Sequence, residues 1–134
     1  MDLSKLTNKV TAVIIADNKM LVLQGKDNKW IFPVATLGED EKVDNAIINL
    51  AKSNLGIDVV PAAEIGSIEK SNDAGIEIVM FIHVNASNLA NISIPSDCVA
   101  SDYVSFDQFA ALDLAENEKM FLDVCADDLK KHLS

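Results

Sequence analysis

ATLGEDEKVDNAIINLAKSNLGI, residues 35–57, holds the most regular pattern in this chain. Acidic residues gather at Gly38-Glu39-Asp40-Glu41. Val43, Ala46, Ile47, Leu50 and Ala51 then recur at three- and four-residue intervals, the spacing of one face of an α-helix. Gly56 follows the last apolar pair and suits a helix C-cap, because glycine accepts a left-handed backbone without a Cβ penalty. The acids ahead of the helix face its partly positive N-terminus, where each is stabilising by about 0.3–1 kcal/mol. A metal site rebuilt from Glu39, Asp40, Glu41 and Asp44 is the sharper alternative.

Upstream, Val10–Ala16 and Met20–Gln24 are β-branched and aliphatic runs separated by Asp17-Asn18-Lys19, the pattern of a hairpin with a tight polar turn. Gly25–Lys29 reads as a polar loop, and Trp30-Ile31-Phe32-Pro33 as a short strand ended by proline. Downstream, Ile57–Val60, Ile65–Lys70 and Ile76–Val84 read as strands, the last two joined through Ser71–Gly75. Asp102–Ser105 is a further strand candidate, and Asp107 a cap for a brief turn at Gln108–Leu112. Met120, Phe121, Val124, Cys125 and Leu129 share one face of a closing helix over Glu116–Leu133. Strands, helix, strands and helix in that order predict an α/β fold with a mixed sheet between helices. No linker-like or repetitive tract divides residues 1–134, and a single domain is expected.

Taken together, Ala35 to Ile57 resembles the Nudix (MutT-like) signature G-x5-E-x7-R-E-U-x-E-E-x-G-U, with U aliphatic. Gly56-Ile57 falls on the terminal G-U, Glu41 on the first glutamate and Ala35 on the opening glycine. The same register sets Trp30-Ile31-Phe32-Pro33 on the aromatic-x-aliphatic-Pro lead-in and Ala46 on a small helical residue. Asp102-Tyr103-Val104-Ser105-Phe106-Asp107-Gln108-Phe109 looks like the strand-then-helix phrase found late in that family. The resemblance runs from Val10 to about Leu112 and implies a Nudix-type α/β/α sandwich. It also implies hydrolysis of nucleoside diphosphates linked to another group, with magnesium or manganese as the cofactor.

The departures from the signature weigh against that chemistry. Asn49 stands on the arginine, Leu50 on the first helical glutamate, and Ser53 and Asn54 on the paired glutamates. Only Glu41 is retained, and it is the one candidate catalytic and metal-binding acid of the signature. On a regular helix positions 50, 53 and 54 share a face, which in an active relative is a carboxylate cluster. Hard divalent ions need oxygen ligands and the charge that carboxylates bring, and the bound ion then polarises phosphorus and activates water. Leucine offers no ligand, and serine and asparagine offer neutral ones. Starting the signature at Gly38 puts Lys52 and Ser53 on the Arg-Glu pair and loses Gly56, so a shift of register does not restore the cluster.

The expected function is therefore a degenerate member that binds a small nucleotide-like ligand or a partner with little metal-dependent hydrolysis, and needs no cofactor. Trp30, Ser53 and Asn54 are the candidate ligand-binding residues. The alternatives are an active, divergent pyrophosphohydrolase using Glu41 with acids outside the helix (Glu64, Glu77, Asp97 or Asp102), and a structural or homodimerisation module.

Composition narrows the partners. The formal net charge is −10, and all 11 basic residues are lysine. The arginine fork that grips phosphate or guanine is missing, and an acidic surface repels a polyanion, so nucleic-acid polymers are not expected partners. Val10–Ala16 is too short to span a membrane and poor as a signal core, which points to the cytoplasm. Cys98 and Cys125 lack metal spacing and are expected to be buried reduced thiols. His83 lies in an apolar strand, where a hydrogen-bonded structural histidine is the plain reading and a catalytic base the sharp one. Lys26 and Lys29 flank a loop that could meet a phosphate.

Overall fold

The computed structural model describes residues 6–73, 75–86 and 92–133. Met1–Lys5 and, within the expected Ser71–Gly75 connection, Ala74 lie outside the described residues.

β1 (Leu6–Ala16) and β2 (Lys19–Gly25) form the expected hairpin. Asp17 and Asn18 supply its two-residue turn with φ of 52° and 63°, the left-handed pair that matches strand twist. The lead-in segment becomes two short strands, β3 (Trp30–Ile31) and β4 (Val34–Thr36), separated by buried Phe32 and Pro33. β5 (Val60–Asn72), β6 (Gly75–Asn85) and β7 (Cys98–Val104) complete a sheet with the order β3-β2-β1-β6-β5, with β4 on β1 and β7 on β2. The β1–β6 pair is parallel and the other pairs are antiparallel.

One edge of β1 is shared. Lys9–Thr11 pair with β4, whereas Ile15 and Ala16 pair with β2. The two partners diverge between those points, and the Ala12 N–H is satisfied instead by Pro33 O at 2.8 Å. This fork in the sheet sets Ile31 and Val34 at the mouth of a gap.

Both faces of the sheet are covered, so β1 reads as an apolar run rather than an alternation. Val10, Ala12 and Ile14 pack with Ile47, Leu50 and Leu55 of the helical layer on one side. Val13 and Ile15 pack on the other side with Phe32, Phe81, Phe109 and Phe121. The aromatic pairs Phe32–Phe109 and Phe81–Phe121 are stacked with centroids 5.0 and 4.0 Å apart.

α1 (Val43–Leu50) runs on into a π-helical turn over Ala51–Leu55, which Gly56 ends in the left-handed conformation expected of it, at φ 70°. The Ile57 N–H reaches back to Ala51 O, one residue further than an ordinary left-handed helix cap requires. α2 (Phe106–Ala111) is capped by Ser105 rather than Asp107. The Ser105 hydroxyl accepts from Gln108 N, and Gln108 Oε1 accepts from Ser105 N.

α3 (Glu116–Leu133) bends at Cys125, where the backbone leaves helical angles. It lies against β5 at Gly66, where a Cβ would stand 2.6 Å from Cys125 Sγ, so a larger residue there would force the Cys125 side chain to move. Val124, expected on the buried face, is 69 % exposed, and Glu118 occupies that face instead with Phe121, Cys125 and Leu129. The expected strand at Ile57–Val60 is likewise corrected. Ile57 and Val59 are buried but not in a strand, and β5 begins at Val60. No described helix is long and apolar enough to cross a membrane.

Candidate functional site

Three hollows with shared walls lie along the fork. The first, about 250 Å³, is lined by Thr11, Ile31, Val34, Ala115 and the first residues of α3, Glu116 to Glu118. The second, about 60 Å³, shares Ile31 and Val34 with the first and continues to Asn54, Pro95 and Asp97. Those last three also wall the third and largest, about 650 Å³, together with Ser53, Ile94 and Ser96. The wall at residues 94–97 is anchored to the helix end, because Ser93 N donates to Leu55 O at 2.8 Å. Together they make a trough between the N-terminus of α3 and the C-terminal end of the α1 helix.

Glu118 is the carboxylate at one end. It is only 4 % exposed, and its Oε2 accepts weakly from Phe32 N at 3.5 Å. Burial pushes its carboxyl up to about 7, with the Phe32 N–H, its own backbone N–H and the Lys70 charge opposing the rise. Next to it Lys70 Nζ donates to Asn117 Oδ1 at 3.0 Å and pairs with Glu116 at 3.6 Å and Glu77 at 4.0 Å. Glu118 and Asn117 both belong to the lining of the first hollow. Glu118 is not among the sequence candidates. A signal for it exists, because it sits three residues before Phe121 and seven before Cys125 on the face that the closing helix buries.

At the other end the three signature positions separate. Leu50 is 5 % exposed and belongs to the core with Ile47 and Val10, while Ser53 and Asn54 are exposed and face Asp97 across the cleft. Leu50 ends the α-helical stretch on its buried face, while Ser53 and Asn54 lie at the surface of the π-helical turn that starts at Ala51. Glu41 is exposed at the entrance of α1, where its Oε1 accepts from Gly38 N at 3.1 Å.

These donors do not fit a hard divalent ion. The helix end offers one apolar side chain and two neutral ones, with Asp97 the lone carboxylate beside them. Among the described residues no group of three histidine, cysteine or acidic side chains is placed to share an ion.

The other candidates lie elsewhere. Trp30 is half-buried against the aromatic core, with its N–H on Asp113 O and its carbonyl accepting from Ala115 N. Its side chain is not among those lining the trough, although its neighbour Ile31 is. Asp44 and Glu64 share a separate hollow of about 270 Å³ between α1 and the β5–β6 pair. Glu77 pairs with Lys9 at 3.0 Å, and Asp102 accepts from Tyr103 N at 2.8 Å. Lys26 is exposed and Lys29 half-buried, and neither lines the trough. His83 bonds Asn85 Oδ1 at 3.0 Å and faces His132 Nδ1 at 2.7 Å. Burial lowers its pKa, the Asn85 bond opposes this, and the neighbouring His132 adds to it. Both cysteines are free. Cys125 is buried, but Cys98 is only half-buried at the rim of the trough, because it opens the edge strand β7.

Neither the family models nor the curated proteins give a match to this chain. Solved structures do. The E. coli ORF135 protein superposes with a TM-score of 0.80 at 19 % identity, covering 97 % of this chain and 96 % of that one. An ADP-ribose pyrophosphatase from Streptococcus suis gives 0.73 at 22 % identity, covering 96 % and 92 %. A Nudix-family hydrolase from Clostridium perfringens gives 0.71 at 16 % identity, covering 92 % and 96 %. Sheet order, the helical layers and near-complete coverage by these structures lead to one conclusion: this protein has the Nudix fold.

Proposed function

We propose that this Nudix-fold protein binds a small nucleotide-like molecule in the trough between Glu118 and Asn54 and does not carry out efficient metal-dependent hydrolysis. The observation that carries the reading is the burial of Leu50 in the core at the position where the signature has its first helical glutamate. The trough itself supports a ligand. It joins an apolar wall of Ile31, Val34 and Pro33 to convergent polar groups at both ends, the usual make-up of a small-molecule site. Ser53 and Asn54 act here as neutral hydrogen-bonding groups, and Glu118 joins them. Trp30 supports the wall from behind through its backbone bonds at Asp113 and Ala115. Glu41 is left with a structural task at the start of α1. Two unpaired cysteines agree with action in the cytoplasm.

Asp97 is the observation that favours a second reading, an active divergent pyrophosphohydrolase, because it puts one acid beside Ser53 and Asn54. Turnover separates the two. Against ADP-ribose, nucleotide sugars, dinucleoside polyphosphates and nucleoside triphosphates with magnesium, the expected result is no efficient hydrolysis. An efficiency near ~10⁴ M⁻¹s⁻¹, the low end of ordinary enzymes, would establish the active reading.

A further inference from the structure

We infer that the trough selects an uncharged nucleoside-like molecule, a planar heterocycle carrying a hydroxyl-bearing sugar, over the phosphorylated forms of the same molecule. This rests on the ligand-binding reading above and adds the ligand's charge and class. The two ends of the trough differ in what they can recognise. At the α3 end, Glu118, Asn117 and Thr11 bring donors and acceptors to an apolar slot walled by Ile31 and Val34. A flat ring with a polar edge fits that combination.

At the far end the polar lining is Ser53, Asn54, Ser96 and Asp97. Hydroxyls and an amide are neutral, and a carboxylate is acceptor-only, with two oxygens that can take hydrogen bonds from two adjacent sugar hydroxyls. The same carboxylate repels a phosphate. A phosphate tail needs cations, oriented backbone N–H groups or a metal ion to offset its charge. Among the described residues lining this end none is cationic, and the donors there do not fit a bridging divalent ion. Lys70 is at the opposite end and engaged with Asn117, Glu77 and Glu116. The net charge of −10 deepens the penalty for a further anion.

The test is titration calorimetry on the whole chain with adenosine, guanosine, cytidine and uridine, each against its 5′-monophosphate and 5′-triphosphate, with and without magnesium. At least one nucleoside is expected to bind about tenfold or more tightly than its triphosphate, with the order unchanged by magnesium. Asp97→Lys, at an exposed position, is expected to shrink or reverse that ratio by about tenfold. A triphosphate that binds more tightly than its nucleoside, with or without magnesium, overturns the inference and leaves the ligand-binding reading standing. So does an unchanged ratio in Asp97→Lys. Absence of binding by every compound overturns both.

Discussion

Leu50→Glu is expected to cost the folded protein about 4 kcal/mol and to lower its melting temperature by about 10–20 °C. The change would restore the residue that the Nudix signature has at this position, so a site poised for metal would tolerate it. In this chain Leu50 sits in the layer formed by Ile47, Val10 and Leu55, with only 5 % of its surface reachable by water. A carboxylate placed there is desolvated among the apolar side chains that pack with Leu50, which is among the most costly single changes a core admits. Leu50→Met should cost less than about 1.5 kcal/mol because volume and polarity are kept. Asn49→Glu, at the exposed neighbour, should move stability by no more than about 0.5 kcal/mol. A Leu50→Glu melting point within a degree or two of the wild type would show that the side chain turns into the cleft and would refute its place in the core.

The next largest effect is expected at Glu118 and depends on pH. Burial raises its carboxyl from 4.5 in the unfolded chain to about 7. Between those values the folded protein holds a proton that the unfolded chain has released, so stability falls as pH rises through this window. The loss amounts to about 3 kcal/mol once pH exceeds the folded value. Glu118→Gln stays neutral throughout. It should be more stable than the wild type by about 2–3 kcal/mol at about pH 8 and nearly equal to it below the unfolded value. His83 works in the opposite sense. Burial lowers its pKa, so its contribution is lost as pH falls below the ordinary histidine range. The difference between wild type and Glu118→Gln cancels that effect, because His83 is common to both. Urea unfolding at about pH 5 and about pH 8 reads the difference, and a gap that does not change with pH would remove Glu118 as a buried, late-titrating acid.

Much of the fold is legible in the sequence because both faces of the central sheet are buried. Val10–Ala16 shows as an apolar run, the Asp17-Asn18 turn as hairpin punctuation, and Gly56 as a helix stop. What is harder to read is main-chain pairing that apolar pattern does not mark. β1 begins at Leu6 because exposed and half-buried residues at its start pair in parallel with β6, and β7 begins at Cys98 because a strand at the sheet edge needs only the β2 backbone. The burial of Leu50 is legible in the apolar series Val43, Ala46, Ile47 and Leu50, but the π-helical turn at Ala51–Leu55 is not, since sequence periodicity assumes a uniform turn. Glu118 is legible in position but not in character, because a charged residue on an apolar helix face is ordinarily assigned to the exposed side.

Titrating the whole chain with manganese tests the proposed absence of metal chemistry at the helix end more directly than any substrate assay, since it needs no knowledge of the ligand. No saturable binding in the micromolar range is expected, because Ser53 and Asn54 are neutral, Leu50 is in the core and Asp97 is a single carboxylate. Stoichiometric micromolar binding that disappears in Glu41→Ala or in Asp97→Asn would contradict the proposal.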